Sequence, residues 1–271
     1  MATEKQDEKL ATDARLRALE QKTAAHDTQL ADHEKRLDTL EAGGTTEPPD
    51  TEQPPDTEQP PSGGGSGTYP SGPNDPIFAN NTTVTGPVKG PTTITQKTVK
   101  APSGNNQPLI YEGPWTAKKC IFIGREGPRL DHAESLLEDC YIECHGEGSD
   151  HADGIQGYLP GSGARLVLRR VRIKMVPGQN NCGFFMSDNG QFDIDMEDVL
   201  IEGGEHCPNG AIWMINDPGD IGCRRVRYKN VEFRGCNRGT AGLEARNGAL
   251  KAEIVEWTNV VSNGKQVARP Y

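Results

Sequence analysis

The sequence predicts an all-β domain, a right-handed parallel β-helix, preceded by an N-terminal α-helical coiled coil. Two observations predict the β-helix: similar strand-like segments recur along the second part of the chain, and turn residues separate them. A third, a leucine heptad pattern without Gly or Pro, predicts the coiled coil. The chain therefore divides into a coiled-coil oligomerisation stalk (residues 1–42), a Pro/Gly-rich linker (43–68) and the β-helix domain (69–271).

The predicted stalk carries leucines at a spacing of three and four residues. With Leu16 at heptad position a, the a and d positions form a mostly apolar seam of roughly four heptads. A helix this polar is not stable alone, so we expect the stalk to join copies of the chain. His26 and His33 occupy d positions, either as polar layers that fix the register or as protonatable layers that make the oligomer sensitive to pH. The heptads themselves do not separate a dimer from a trimer.

The linker combines a proline-rich part with a Gly/Ser-rich part. The sequence Pro-Pro-Asp-Thr-Glu-Gln occurs twice in tandem from Pro48 to Gln59, and a Gly/Ser-rich tract follows. Proline-rich segments are extended and semi-stiff, whereas Gly/Ser segments are flexible. We therefore expect a semi-stiff spacer, followed by a flexible segment, between the stalk and the β-helix domain.

An apolar position recurs through the predicted β-helix domain. Aligning the strand-like segments places Cys140, Val171, Val199 and Val231 in one column, separated by 31, 28 and 32 positions, and Cys120 precedes Cys140 by 20. Such periods, with alternating strands and no amphipathic helix, indicate coils that stack and bury one another's apolar faces. A β-sandwich is the alternative, but its turns do not repeat with side-chain type in this way. Cysteines in this column are predicted to be buried free thiols.

Composition narrows the classes of partner. The net charge is -10, and no Lys/Arg block occurs, so we expect no nucleic acid as a partner and favour a neutral or cationic one. The N-terminus lacks the apolar core of a signal peptide, and no run approaches the ~18 apolar residues of a membrane span, so no membrane insertion is expected. The seven cysteines include no zinc-type pair, and we expect neither a metal nor a cofactor. Calcium at Glu147, Asp150 and Asp153 is the weaker alternative.

Outward side chains of successive strands form the candidate glycan-binding surface. Strand alternation sends Ile155 inward and leaves Gln156 and Tyr158 outward. The same register in later coils gives two outward columns, which read Gln156, Phe185, Trp213, Glu244 and Tyr158, Ser187, Ile215, Arg246. Aromatic faces beside hydrogen-bonding groups suit sugar rings, and a loop or another subunit covering these side chains is the alternative. The candidate glycan-binding residues are Gln156, Tyr158, Phe185, Trp213, Glu244 and Arg246.

A cluster of ionisable residues precedes this surface. Its candidate catalytic residues are His145, Asp150, His151 and Asp153, and Glu147 lies among them. A carboxylate and an imidazole suit general acid–base chemistry on a polysaccharide, and two carboxylates suit glycoside hydrolysis. The alternative is that these are turn residues, with Asp153 before Gly154 closing a turn. Enzymatic activity, as a polysaccharide lyase or glycoside hydrolase, therefore stays open.

The His-x-Asp-Gly-Ile-Gln pattern at residues 151–156 resembles a coil-start sequence of the pectate-lyase-like parallel β-helix superfamily, and the likeness extends from about residue 75 to 265. The order of coiled coil, Pro/Gly linker and small β-helix resembles bacteriophage tail fibres, tail spikes and minor tail proteins. The chain departs from the lyase pattern, because no basic cluster with calcium-binding carboxylates can be matched.

The resemblance implies a homotrimer assembled through residues 1–42 and located in the virion tail. It implies synthesis in the host cytoplasm without a signal peptide, and contacts with host surface polysaccharide and with other virion tail proteins. The expected function is that of a tail fibre or receptor-binding protein. A polysaccharide-depolymerising tail spike and a purely structural minor tail protein are the alternatives.

Overall fold

The computed structural model describes residues 69–102, 109–130, 134–147, 152–157, 164–177, 180–186, 192–203, 211–216, 223–235, 243–245 and 251–270, with the backbone alone for 213–216 and 243–245. These ranges are all-β, as predicted, apart from one 3-10 turn, η1 (Pro76–Phe78). The predicted coiled coil and linker lie outside the described residues. No described helix is long and apolar enough to cross a membrane.

Most strands belong to an 11-stranded sheet, the long sheet. Its strands are β1 (Thr82–Thr85), β3 (Thr92–Thr95), β4 (Lys97–Lys100), β6 (Trp115–Lys118), β7 (Ile121–Gly124), β9 (Glu134–Cys144), β11 (Ala164–Met175), β13 (Phe192–Glu202), β15 (Cys223–Arg234), β17 (Glu253–Ser262) and β18 (Lys265–Gln266). All its pairs are parallel except the last, between β17 and β18.

A second, parallel sheet of five strands is the short sheet. Its strands are β8 (Arg129–Leu130), β10 (Ala152–Gly157), β12 (Asn180–Met186), β14 (Ile212–Asn216) and β16 (Leu243–Ala245), and β2 (Val88–Lys89) pairs separately with β5 (Ile110–Tyr111). From β9 to β17 the chain alternates between the long and the short sheet. Each return to the long sheet pairs in parallel with the strand of the previous coil, which is consistent with a parallel β-helix.

One bend recurs in the long strands. A residue with φ near +50° interrupts each of them, namely Asp139, Arg170, Asp198, Asn230 and Asn259. The two parts of β9 accordingly pair with two separate strands, β6 and β7. Asn and Asp tolerate this left-handed conformation better than most residues, and here they also bond along the stack: Asn230 donates to Asp198, and Asn259 donates to Asn230. Each coil thus contributes two segments to the long sheet and one to the short sheet.

The predicted apolar column lies in the core. Val171 pairs with Cys140 on one side and Val199 on the other, and Val199 pairs with Val231. These four side chains and Cys120 are fully buried. The five described cysteines, Cys120, Cys140, Cys144, Cys182 and Cys223, are buried free thiols, as predicted. Stacking one apolar side chain on the next removes the column from water, which is the main stabilising contribution of such a fold.

The turn predicted at Asp153-Gly154 is not present, because both residues lie within β10. A Cβ atom added at Gly154 would stand 2.4 Å from the carbonyl oxygen of Gly183 and 2.5 Å from Cγ2 of Ile173. Contacts this short are not tolerated between real atoms. Gly154 is therefore required by the close approach of the next coil rather than by a turn.

Residues 69–78 lie across the outer surface of the long sheet, a feature that the sequence repeat did not predict. At one end, the Tyr69 hydroxyl donates to Glu232 of β15 at 2.9 Å. At the other end, Phe78 packs with Ile121 of β7 and Tyr141 of β9. In between, Arg172 of β11 donates to the carbonyl oxygen of Ser71. The segment thus connects early and late coils of the stack, and we call it the strap.

Candidate functional site

The short sheet aligns three of the predicted glycan-binding residues. Gln156 of β10 is the register partner of Phe185 of β12, and Phe185 is the partner of Trp213 of β14. On the other side, Gln156 pairs with Arg129 of β8, which sequence reasoning did not include. Arg129 forms an ion pair with Glu126 at 2.8 Å. This row of register partners, which we call the outer column of the short sheet, therefore begins with Arg129 and continues through Gln156 to Phe185.

The alternation predicted for these strands is present where side chains are described. Ile155, Phe184 and Met186 are fully buried, whereas Gln156 and Phe185 are only half-buried. The Oε1 atom of Gln156 is buried and accepts no hydrogen bond in the described part of the chain. A buried acceptor without a donor is costly, and a ligand hydroxyl could donate to this one only after the Gln156 amide became exposed.

One part of the predicted column is wrong. Glu244 is the register partner of Ile215, not of Trp213, and Leu243 pairs with Met214. The real register is displaced by two residues from the one that the sequence segments suggested. A displacement by an even number preserves the alternation of a strand, so hydrophobic pattern alone does not detect it. Tyr158 and Arg246, the remaining predicted contacts, lie outside the described residues.

The predicted catalytic residues are found in different environments. His145 is half-exposed, with Nε2 3.9 Å from Oε1 of Glu147. Asp153 lies in the interior, 1% exposed. Asp150 and His151 fall outside the described residues, and so does part of the calcium alternative. No group of three His, Cys, Asp or Glu side chains within the described ranges could hold a metal ion.

Asp153 connects two coils from the inside. Its Oδ1 atom accepts hydrogen bonds from Nδ2 of Asn181 at 2.9 Å and from the backbone N–H and the thiol of Cys182, both at 3.2 Å. Burial raises the pKa of Asp153 to about 7, despite the hydrogen bonds from Cys182 and Asn181, which act in the opposite direction. A carboxyl group that titrates near neutrality suits acid–base catalysis, but this one lies away from the surface where a polysaccharide chain would bind. Its described contacts are those of a structural group.

The outer surface of the long sheet carries columns of alternating charge. Arg225 pairs with Glu253 at 3.0 Å and Lys229 with Glu197 at 2.7 Å. Following the strand register, the columns read Glu134, Arg165, Asp193, Arg225, Glu253 and Glu138, Arg169, Glu197, Lys229. Exposed pairs contribute little stability, about 0–1 kcal/mol each. However, a strand that skipped one coil and paired with the next would place like charges side by side. The alternation therefore favours the observed order of strands.

A cleft of about 250 Å³ interrupts these columns on β11, β13, β15 and β17. It is lined by Arg165, Asp193, Ile194, Asp195, Arg225, Val226, Arg227 and Val255. Sequence reasoning missed it. The sign change from Glu138 to Arg169 to Glu197 was visible in the repeat, but the cleft itself depends on strand pairing that the repeat does not specify.

Comparison of the chain with protein-family models, with curated proteins and with solved structures finds no match. The all-β architecture and the two site regions therefore stand on the geometry alone.

Proposed function

We propose that the chain is a bacteriophage tail fibre or receptor-binding protein that contacts host cell-surface polysaccharide through the outer column of the short sheet. In this proposal residues 69–271 form a right-handed, pectate-lyase-like parallel β-helix, since parallel crossovers of this kind are nearly always right-handed. The single observation that carries the proposal is the register of Gln156, Phe185 and Trp213 on neighbouring strands.

This register supplies what a sugar chain needs. Parallel strands are about 4.8 Å apart, so the backbones of Gln156 and Trp213 are roughly 10 Å apart, with Phe185 between them. Aromatic rings provide flat apolar surfaces for the C–H faces of sugars, and the half-buried side-chain amide of Gln156 can hydrogen-bond to a sugar hydroxyl. A repeated column of this kind suits a repeating polymer.

The proposal assigns oligomerisation to residues 1–42. A coiled-coil homotrimer would present three copies of the column, with the linker 43–68 allowing them to adjust to one surface. Linked weak sites gain avidity without new contacts, so individual sugar contacts need not be strong. In the virion the same chain would contact other tail proteins.

The test is binding of the full-length chain to purified host envelope polysaccharide, with Phe185→Ala and Gln156→Ala compared with the unsubstituted chain. We expect each substitution to weaken binding by about tenfold, since truncating a central contact typically costs 1 kcal/mol or more. Tyr111→Ala is a matched control, because it removes a half-buried aromatic ring from β5, outside both the short and the long sheet. Thermal unfolding of all variants checks that the fold is retained.

Two results would refute the proposal. Full binding by Phe185→Ala and Gln156→Ala, with folding intact, would show that the column is not the contact surface. Absence of binding to every host surface fraction would favour a structural tail component. A reducing-sugar or new-unsaturation assay on the same polysaccharide distinguishes adhesion from depolymerisation. If the chain shows such activity and Asp153→Asn loses it, the result would support the catalytic role predicted for Asp153.

A further inference from the structure

The cleft on the long sheet is formed at two irregularities in strand pairing. Between β13 and β15 the register shifts so that Arg224 has no register partner on β13, and between β15 and β17 it shifts so that Val255 has none on β15. Both shifts have the form of β-bulges, which re-aim side chains and are over-represented beside binding sites. The otherwise regular stack thus departs from regularity twice around one cleft.

The acidic groups of the cleft have their oxygens engaged. Asp195 accepts from Arg227 through Oδ1 at 2.8 Å and from Arg165 through Oδ2 at 2.9 Å, and its side chain is only 8% exposed. Asp193 accepts from Arg224 through both oxygens, at 2.8 and 2.7 Å. Each carboxylate oxygen therefore already serves a guanidinium of the protein.

The guanidiniums retain unused donors. Within the described part of the chain, Arg165 is 43% exposed and donates only through Nη2, to Asp195. Among the same residues, Arg225 is 49% exposed and donates only through Nε, to Glu253. A guanidinium has five N–H groups, so several remain on each of these two side chains. The cleft is consequently rich in donors and poor in free acceptors, which matches an acceptor-rich ligand.

The cleft also includes an apolar surface. Val255, at the second bulge, is 48% exposed and is the exposed large hydrophobic residue of the described chain. Arg165 and Arg225 both pair with Asp193 in register, so their strands lie on either side of β13, roughly 10 Å apart. Two long side chains on either side of one strand can converge on a single sugar-sized ligand above it.

We propose that this cleft binds the carboxylate of an acidic sugar unit of the uronic-acid type. Arg165 and Arg225 donate to the carboxylate oxygens, and Val255 contacts the C–H face of the ring. Asp195 is a positioning residue that orients the guanidiniums of Arg165 and Arg227. This site lies on the long sheet and is independent of the proposed contact surface on the short sheet.

The net charge of -10 does not oppose such a site at physiological salt. Charge interactions between exposed groups are screened beyond about 8 Å at 0.15 M, so the groups next to the ligand decide the affinity. Paired guanidinium and carboxylate recognise one another through short, charge-assisted hydrogen bonds, which are roughly twice as strong as neutral ones.

The experiment is saturation-transfer NMR on the full-length chain with methyl β-glucuronide, methyl β-glucoside and acetate as separate probes. We expect signals from the glucuronide and at least about tenfold weaker binding of the glucoside, which lacks the carboxylate, and of acetate, which lacks the ring. In the double variant Arg165→Gln/Arg225→Gln, glucuronide binding should fall by a similar factor.

Arg169→Gln is the matched control, because it makes the same change on the same strand at an exposed position that does not line the cleft. It should leave glucuronide binding unchanged. Should the double variant fail to fold, Val255→Glu provides the second variant: it places a negative charge on an exposed residue at the cleft and should abolish binding while the fold is retained.

Equal binding of glucuronide and glucoside would overturn the proposal, as would glucuronide binding that persists in Val255→Glu. Absence of any glucuronide signal at millimolar concentration would overturn it as well. None of these results bears on Phe185 and Gln156, so this site and the proposed contact surface succeed or fail separately.

Discussion

The stability of the parallel β domain should decrease as pH rises through the range in which Asp153 ionises. Burial raises the pKa of this carboxyl group from 3.8 to about 7, so the folded state holds its proton over a range in which the unfolded chain has lost it. A raised acid pKa means that the contribution is fully favourable below pH 3.8, is lost between there and about pH 7, and is constant above. Ionising Asp153 inside the stack is the cost, and nearby Glu126 adds to it.

The magnitude follows from the shift. A difference of about three pKa units corresponds to roughly 4 kcal/mol, at 1.36 kcal/mol per unit. Asp153→Asn removes the ionisation while keeping an oxygen that can accept from Asn181 and Cys182. We therefore expect the variant to gain stability relative to the unsubstituted chain as pH rises from 4.5 to 8, approaching this value as an upper limit.

The measurement is urea unfolding of both chains at several pH values between 4.5 and 8.5. Glu147→Gln serves as the control, because it removes a partly exposed carboxylate from the neighbouring segment. A stability difference between Asp153→Asn and the unsubstituted chain that is independent of pH would refute the reasoning, whatever its size. Such a result would mean that the pKa of Asp153 is the same in the folded and unfolded states.

Three further predictions concern packing. Gly154→Ala should destabilise the domain by about 1–3 kcal/mol in urea unfolding, because its Cβ would meet the carbonyl oxygen of Gly183, whereas Gly264→Ala, with open space around its Cβ but φ near +76°, should cost only about 1 kcal/mol. Native chains should expose no more than two of seven thiols to a thiol reagent, since five are buried, and reaction of more than two would contradict the buried column. Tyr69→Phe should lower the free energy of unfolding by about 1 kcal/mol, because the hydrogen bond to Glu232 is lost. The same variant should lack the phenol titration near pH 12. Unchanged stability would show that this hydrogen bond does not hold the strap to β15.

The stacked core could be predicted from sequence because its signal is both periodic and chemical. Cys140, Val171, Val199 and Val231 are small apolar residues at the same place in successive segments, and a column is the arrangement that buries all of them. The inward direction of Ile155 and Phe184 followed from the same alternation. The exact register of β16 against β14 could not be predicted, since a two-residue displacement leaves the alternation unchanged.

The sites were less predictable, because they depend on contacts between coils. Asp153-Gly154 has the composition of a turn, and only the proximity of Gly183 and Ile173 explains why a glycine lies inside a strand. The cleft arises where Arg224 and Val255 have no register partners, and nothing in their own segments marks them as bulges. The strap likewise depends on which outer side chains, Glu232 among them, happen to lie along its route.

The route of the strap determines where mechanical load reaches the domain. Tyr69, the first described residue, is bonded to β15, while the first strand of the stack is β1. A pull on the preceding segment is therefore applied beside the late coils and runs along the stack, in shear across the Tyr69 and Ser71 contacts. Along the chain, the strap precedes every strand, so its side-chain contacts bear the force before the strands do. We therefore expect these contacts to break first, before the backbone hydrogen bonds of β1 are loaded.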